Sequence, residues 1–412
     1  MGELKEGELI QSLESRILDL PPSCVEFCPE FPSYFVVGTY SLQTESPKSP
    51  TEESEDDENV QTSQPNKPQN RNGSIIAFRL ANGGVTHLQT LPQPSALLDL
   101  RFNLHPGSRD IFAVVSSTAT LALFRLSPDD EDQPLKHLQT MDISSMTAGG
   151  ITPSEASNGK GEILFLSFAW HPTRKDMLAV TTSTGHVYLV HLPSFDSGEW
   201  TLATEPVVTH DLEAWCVALS PVPGLSGDDV STESVRVYSG GDDSTLRFRT
   251  VHWDGKGDIE GDLSAVVDRR GHDAGVTAIL PLFRQQDGSE VVVTGSYDEK
   301  IRLFLMPPAA GRPRLLAEMG LGGGVWRLKL IDLRRGPGEI WEAWILASCM
   351  HAGARVVQAW AAEDEMYGFG VLGRFEEHKS MNYGSDFQPR WKGKMPVVST
   401  SFYDKLLCIW EF

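Results

Sequence analysis

The chain has 412 residues, of which 40% are hydrophobic and 22% charged, enough for two or three ordinary domains or one large repeat domain. No apolar run approaches the roughly 18 residues that cross a bilayer, so we expect no membrane association. Acidic residues outnumber basic ones by 56 to 35, and the formal net charge of −21 has the wrong sign for a protein that neutralises nucleic-acid phosphates.

The N-terminal segment MGELKEGELIQSLESRILDL is acidic and polar. It lacks the basic and apolar regions of a secretory signal and the Arg-rich character of a transit peptide. We therefore predict a cytoplasmic protein. Further along, residues 41–72 are polar, acidic and Pro-rich with almost no apolar side chains, and we predict that this insertion is disordered.

Two kinds of segment repeat along the chain. The first has an apolar run eight residues after a proline, as in 27–37, 103–115 and 169–181. The second has an acidic turn before an alternating strand that ends in an aromatic residue, as in 239–250, 295–304 and 401–410. In this second family Asp242, Asp298 and Asp404 each lie six residues before the aromatic residue. The pattern resembles the end of a WD repeat.

Four-strand groups can be placed along the whole chain, and their second strands begin near Tyr34, Ile111, Met177, Ser234, Glu290, Trp341 and Pro396. Seven groups predict an all-β fold, a single seven-bladed WD-repeat β-propeller over residues 1–412. The last group ends at Phe412 after its third strand, so we predict that the segment Ser15–Leu20 supplies the missing strand and closes the ring. Such closure leaves few free sheet edges, and we expect a monomer.

Histidines precede several inner strands at the position where a WD blade pairs a histidine with the aspartate of its acidic turn. His272 with Asp298 fits this arrangement, as do His210 with Asp242 and His378 with Asp404. Because the pairs recur from blade to blade, we interpret them as structural polar networks rather than catalytic dyads.

The sixth blade departs from this rule. Gly322, Gly323 and Gly324 stand before Trp326 and Arg327 where the histidine is expected, and His351 replaces the aspartate in a turn that contains Cys349. Glycines let a ligand approach backbone N–H groups that can hold an oxyanion, and His351 is a candidate general base or acid. The alternative is a loop that lost its structural pair and needed glycines for an awkward turn.

The seventh blade places Tyr383 and Asp386 on its inner strand, in the same sector. Tyr297 and Tyr403 lie at comparable turns, and with Tyr40, Trp215, Trp326 and Tyr383 they can form an aromatic surface for a cationic group. Ordinary packing is the alternative for each of these rings.

The common enzyme signatures are missing from the sequence. There is no GxSxG elbow, Walker A loop, HExxH motif or Rossmann glycine motif. The five cysteines have no paired spacing, so we expect reduced thiols and no metal site.

Seven segments of the chain resemble the WD-repeat diphthine methylesterases, also called diphthine methyltransferases. They are GTY (38–40), YSGGDD (238–243), TGSYDEKIRLF (294–304), GGGVWRLK (322–329), ASCMHAGARVV (347–357), HKSMNYGSDF (378–387) and TSFYDKLLCIWEF (400–412). The resemblance implies a hydrolase of diphthamide biosynthesis. Its substrate would be the methyl ester of methylated diphthine on elongation factor 2, its products would be diphthine and methanol, and it would need no cofactor.

The resemblance assigns no catalytic residue, so the roles come from the residues themselves. His351 is the candidate base, or the activator of Cys349 in a covalent route. Backbone N–H groups of Gly322–Gly324, or Arg327, would hold the oxyanion, Asp386 would orient His351 or a water, and Tyr383 would donate a proton. Trp326 and Tyr383 would receive the trimethylammonium group of the substrate.

Two other functions compete with ester hydrolysis. Most propellers of this kind bind partners without catalysis, so a WD-repeat adaptor is one alternative. A methyl transferase is the other, but the sequence offers no evident nucleotide-binding loop for a methyl donor.

Overall fold

The computed structural model describes residues 7–42, 71–81, 83–142, 163–222, 234–256, 258–262, 264–337, 340–364 and 366–412. These residues form strands and turns without a helix, and the strands make seven small sheets. Consequently this part of the chain contains no helix that could span a membrane. The predicted seven-bladed β-propeller is confirmed.

The strands of the N-terminal segment and of the first three blades follow one another in chain order. They are β1 (Glu8–Ile10) and β2 (Glu14–Ile17), blade one with β3 (Pro22–Phe27), β4 (Tyr34–Thr39), β5 (Ser41–Leu42), β6 (Arg71–Ala81) and β7 (Gly84–Gln93), blade two with β8 (Leu97–Phe102), β9 (Ile111–Ser116), β10 (Thr120–Leu126) and β11 (Leu135–Asp142), and blade three with β12 (Phe165–Trp170), β13 (Met177–Thr182), β14 (His186–His191), β15 (Thr201–Leu202) and β16 (Val208–Thr209).

The other four blades follow the same plan. Blade four has β17 (Ala214–Val222), β18 (Ser234–Gly241), β19 (Leu246–His252), β20 (Glu260–Gly261) and β21 (Val266–Asp268), blade five has β22 (Val276–Arg284), β23 (Glu290–Ser296), β24 (Lys300–Met306) and β25 (Arg314–Gly320), blade six has β26 (Arg327–Arg335), β27 (Trp341–Ser348), β28 (Ala354–Ala362) and β29 (Met366–Phe375), and blade seven has β30 (Gly384–Phe387), β31 (Pro396–Ser401) and β32 (Leu406–Glu411).

The second strand of each blade begins at the residue predicted from the repeats. Several of these strands begin with a continuous apolar run rather than an alternating pattern, for example IFAVV in β9 and MLAV in β13, and every residue of both strands is buried. A strand reads this way when both faces of its sheet are covered. In a propeller the two covers are the neighbouring blades.

Seven apolar clusters fill the spaces between adjacent blades. The cluster between blades five and six, for example, joins Val293 and Leu303 to Ile345 and Val357. The apolar core is therefore a ring of interfaces between blades, arranged around the central channel.

The ring closes as predicted. Strand β2 pairs antiparallel with β32, with Ser15 opposite Cys408, and completes blade seven. The closing strand runs from Glu14 to Ile17 rather than over the predicted Ser15–Leu20. Strand β1 was not predicted. It pairs parallel with β29 and adds a fifth strand to blade six.

Most of the predicted insertion 41–72 lies outside the described residues. Its two ends are described, and they pair with each other as Ser41 with Asn72 and Leu42 with Arg71.

The predicted histidine and aspartate pairs need correction. His210 contacts Asp243 rather than Asp242, with Nδ1 3.0 Å from Oδ1. Counting back six residues from the aromatic residue Phe248 had selected Asp242. The strand register instead places Asp243 at the position of Asp298, because Gly240 pairs with Leu246 as Gly295 pairs with Ile301.

In blades five and seven the histidine does not touch the aspartate directly. His272 Nε2 lies 2.8 Å from Thr294 Oγ1, and Asp298 accepts the backbone N–H of Asp273 instead. His378 Nε2 lies 3.1 Å from Ser399 Oγ, which also accepts the indole N–H of Trp410. The networks are structural as predicted, but the turn aspartate holds the loop backbone rather than the ring.

Candidate functional site at the channel mouth

The inner strands all begin at one end of the propeller, and their first residues surround the mouth of the central channel. In β17 a bulge between Ala214 and Cys216 leaves Trp215 out of the ladder. Bulges of this kind redirect a side chain. Trp326 and Tyr383 hold the corresponding places just before β26 and β30.

Four half-buried rings meet at this mouth, and together we call them the aromatic cage. The ring centroids are separated by 6.1 Å for Trp215 and Tyr297, 5.7 Å for Trp215 and Trp326, 5.8 Å for Tyr297 and Trp326, and 5.1 Å for Trp326 and Tyr383. Phe402 extends the surface beyond Tyr383, with centroids 5.4 Å apart. The arrangement joins blades four, five, six and seven.

Carboxylates border the cage on the side of blade four. Trp215 Nε1 donates to Asp242 Oδ1 over 2.9 Å, and the Asp242 N–H donates to the Glu213 carbonyl. Burial, followed by electrostatic interactions with Tyr383, Asp242 and Glu213, raises the pKa of Tyr297. Aromatic faces together with nearby anionic charge favour a cation.

Below the cage lies a cavity of about 390 Å³ along the channel axis. Trp215 and Trp326 line its upper part, whereas Leu104, Trp170 and Pro172 line it elsewhere. Two of the four cage residues therefore line this cavity as well.

Ion pairs cross the cavity. Arg327 Nη1 lies 2.9 Å from Asp99 Oδ1, and Arg101 Nε lies 3.2 Å from Asp99 Oδ2. Lys329 Nζ lies 2.7 Å from Asp386 Oδ2 and 3.0 Å from Glu26 Oε1. Because Arg327 is on blade six and Asp99 on blade two, the first pair spans the channel.

The pKa shifts in this network follow from burial and pairing. Burial raises the pKa of Glu26 and Asp386 more than Lys329 lowers it. Burial alone would also raise the pKa of Asp99, but Arg101 and Arg327 outweigh it and lower the value. Burial would lower the pKa of Lys329, and the carboxylates of Asp386 and Glu26 reverse that effect.

His351 lies exposed in the turn between β27 and β28. Its neighbour Met350 forms an isolated bridge with Asn382, the residue before Tyr383. Met350 holds a left-handed backbone with φ of 43°, which costs a non-glycine residue roughly 1 kcal/mol. The turn that carries His351 is thus fixed against the loop that carries Tyr383.

The three glycines do not all face the mouth. Gly323 and Gly324 are buried, and an added Cβ would contact Cys349 and Ala352 at the first position and Met350 at the second. Gly322 is exposed and has φ of 82°. Close packing against the blade-six turn therefore explains two of the three, which supports the interpretation as an awkward turn.

Two of the predicted catalytic groups, Cys349 and Asp386, are buried and do not face the mouth as free reactive groups. Cys349 is fully buried, and burial raises the pKa of its thiol to about 12, so the thiolate is not favoured. Asp386 is also fully buried and is bound by Lys329 and by the N–H groups of Phe27 and Phe387. No described contact joins Asp386 to His351.

The remaining predicted residues separate into cage and surface. Trp326, Tyr297 and Tyr383 are in the cage, whereas Tyr403 is 70% exposed and touches Phe402 with centroids 5.0 Å apart. Arg327 lies below the cage, bound to Asp99 and to the Leu98 carbonyl.

Asp242 and Phe402 are the residues that the sequence did not assign to the site. The signal for Asp242 was the doubled acid Asp242–Asp243. Among the described residues, no three His, Cys, Asp or Glu side chains form a group that could hold a metal ion. All five cysteines are free and buried.

Solved structures similar to this one show the fold. A chain of the mitotic checkpoint complex covers 100% of this chain with a TM-score of 0.52 and 12% identity. A Chaetomium thermophilum protein, solved with the N-terminus of a ribosomal protein, covers 98% with a TM-score of 0.54 and 11% identity. Both are WD-repeat proteins.

Curated proteins match nearly the whole chain, although no family model does. The diphthine methyltransferase of Schizosaccharomyces pombe is 26% identical and the match covers 95% of each chain. The diphthine methyltransferase homolog of Dictyostelium discoideum is 24% identical, with 96% of this chain and 98% of that one covered. The human diphthine methyltransferase is 23% identical, with 91% and 74% covered. The resemblance seen in the sequence is therefore confirmed, and this chain is a homologue of the diphthine methyltransferases along about 95% of its length.

Proposed function

We propose that this protein hydrolyses the methyl ester of methylated diphthine on elongation factor 2, giving diphthine and methanol in diphthamide biosynthesis. The names of its relatives point to the diphthine methyl group. The observation that carries the proposal is the aromatic cage, because four rings beside a carboxylate suit the trimethylammonium group of this substrate.

The cage also determines where the ester lies. The trimethylammonium group and the ester belong to the same modified histidine, so binding one fixes the other beside the groups that border the cage. Holding a reacting group in place in this way can remove much of the entropic barrier to attack.

His351 is the proposed general base. Its turn is bridged to the loop of Tyr383 through Met350 and Asn382, and its exposed position leaves the imidazole open to water. His351 would remove a proton from the water that attacks the ester carbonyl. The C–OCH₃ bond would then break, and the methoxy oxygen would take the proton back as methanol leaves.

The oxyanion of the intermediate needs hydrogen-bond donors. Burial, together with nearby Tyr403, raises the pKa of Tyr383, and Tyr297 is shifted in the same direction. Both phenols therefore keep their protons at neutral pH, and Tyr383 is the proposed donor. Arg327 is less suited because Asp99 and the Leu98 carbonyl occupy its guanidinium.

The partner would be elongation factor 2 itself, because the modified residue must enter the mouth as part of a folded protein. We propose a cytoplasmic monomer that acts without a cofactor. The net charge of −21 favours the approach of a cationic surface.

The test is to incubate elongation factor 2 carrying methylated diphthine with the protein in water labelled with the heavy oxygen isotope. Attack at the carbonyl places the label in the new carboxylate, which mass spectrometry of the modified peptide detects. His351→Ala should lower the rate about 100-fold, in the range of general-base catalysis, with unchanged thermal stability.

Three outcomes would contradict the proposal. Label in methanol alone would show cleavage at the methyl carbon. Loss of the methyl group only when a methyl acceptor is added would favour transfer rather than hydrolysis. A stable complex without any change in mass would favour the adaptor.

A further inference from the structure

In blades one, four, five and seven, the first residue of the turn between the second and third strands lies at the channel mouth. Strand register makes Tyr40 and Tyr297 equivalent, since each follows the last paired residue of its second strand. Phe402 takes this place in blade seven. In blade four the same register places Asp242 there, so a carboxylate stands where three other blades carry an aromatic ring.

Asp242 has no part in the structural network of its blade, because Asp243 fills that role. Asp243 binds His210 Nδ1 at 3.0 Å, Arg247 Nη2 at 2.7 Å and the N–H of Asp211 at 3.0 Å. Asp298 does the same work in blade five through Arg302 and the N–H of Asp273. The doubled acid of blade four thus supplies one structural carboxylate and one that remains at the mouth.

The surroundings of Asp242 direct its carboxylate to the cage. Its Oδ1 accepts the indole N–H of Trp215 at 2.9 Å. Gly275 leaves the space for this arrangement, because a Cβ at that position would lie 3.0 Å from Asp242 Oδ1 and 3.0 Å from Tyr297 Cδ2. Asp242 therefore packs closely beside two of the four cage rings.

From these contacts we infer that Asp242 is a positioning and specificity-determining residue of the cage. It fixes the indole plane of Trp215, and its charge makes the cage select a quaternary ammonium group over an uncharged group of the same shape. The inference rests on the proposed function only for the identity of the natural substrate. The cage is expected to bind small quaternary ammonium ions by themselves.

The experiment measures the dissociation constants of choline and of dimethylbutanol, in which carbon replaces the quaternary nitrogen. Asp242→Asn removes the charge but keeps an oxygen for the Trp215 N–H. Asp242 is exposed, so we expect choline affinity to fall about threefold to fivefold, as for the loss of one exposed charge beside a cation, while dimethylbutanol affinity stays within about twofold.

Asp242→Ala removes the indole acceptor as well. Choline should then bind still more weakly, and dimethylbutanol should also weaken by about threefold because Trp215 is no longer fixed. Asp273→Asn is the matched control, since this 76% exposed carboxylate is in the loop that enters blade five and pairs with Lys300. It changes the net charge equally and should alter choline affinity less than about twofold.

Equal choline affinity for the wild type and Asp242→Asn would overturn the inference. So would an equal loss for choline and dimethylbutanol, or the absence of saturable choline binding by the wild type. Choline binding that depends on Asp242, in a protein that leaves methylated diphthine intact, would refute the proposed function and leave this inference standing.

Discussion

The channel mouth has two sectors built on the same backbone plan but with different side chains. Blades four, six and seven place Trp215, Trp326 and Tyr383 at the start of their inner strands, whereas blades one to three place Ser23, Leu98 and Leu166 at the matching positions. The comparison teaches that the repeat fixes where side chains project and leaves their chemistry free. Function therefore belongs to the sector rather than to the fold.

The two sectors are joined across the axis. Arg327 of blade six reaches Asp99 of blade two, and Lys329 reaches Glu26 of blade one. In both of these cross-axis pairs the sector with the rings supplies the cation and the sector without them supplies the carboxylate. Each of the following changes separates a contribution of one sector from that of the other.

The largest effect is expected from Lys329→Met, which leaves the buried carboxylate of Asp386 and the half-buried carboxylate of Glu26 without their cation. Removing one partner of a fully buried ion pair costs about 3–5 kcal/mol. Because the Lys329 side chain is 36% exposed, we expect the low end of this range, about 3 kcal/mol, and urea unfolding would measure it. Lys300→Met is the control, because Lys300 pairs with the exposed carboxylates of Asp273 and Glu318, and its removal should destabilise the protein much less than that of Lys329. Equal losses in the two variants would show that the cross-axis pairs do not hold the sectors together.

Trp326→Ala should lower kcat/KM for methylated diphthine about 100-fold, since this ring contacts three others of the site and large aromatic truncations at binding centres cost about 2–4 kcal/mol. Leu98→Ala makes the matching truncation in the opposite sector and should stay within about threefold. Similar losses at both positions would mean that the mouth has no functional sector.

Acid should weaken the blades that carry buried histidines. Burial lowers the pKa of His272 to about 3, whereas the unfolded chain protonates near 6.5. As pH falls, the unfolded state takes up the proton before the folded state does. The free energy of unfolding is therefore unaffected by His272 above pH 6.5 and decreases below that pH. Between pH 7 and pH 5 the loss is about 2 kcal/mol.

The measurement is the difference in urea stability between the wild type and His272→Gln at the two pH values. Glutamine does not titrate and can still reach Thr294, so the variant should lose about 2 kcal/mol less on acidification. Parallel curves would show that His272 is not held neutral in the folded state.

The smallest effect is expected from Cys349→Ala. A thiol with a pKa of about 12 and no exposure supplies almost no thiolate at neutral pH, so turnover should remain within about twofold. A loss of more than about 100-fold in a variant with normal thermal stability would restore the covalent route.

The sequence predicted the blades well because their signals are local. The starting residues of all seven second strands follow from apolar runs beside turn residues, and each was placed correctly. The closing strand was also found, since the last blade visibly lacks one. Strand β1 carried no comparable signal, because a three-residue parallel pairing with β29 depends on contacts from the far end of the chain.

The candidate site was only partly predictable. Trp326, Tyr297 and Tyr383 could be chosen by residue type and turn position. Asp242 could not, because an aromatic residue six positions later suggested the wrong register. The strand pairing and the side-chain contacts of Asp243 correct it. The commitment of Asp386 to Lys329 likewise depends on a strand from another blade.

The pairing of β2 with β32 also determines when the molecule can finish folding. Its two strands are separated by nearly the whole chain, so they meet only after the intervening blades have brought them together. Contacts of such sequence separation form late and slowly. Until then, the edge of blade seven is an open template for the strand of another molecule, and the same contact that completes the ring also guards it against domain exchange.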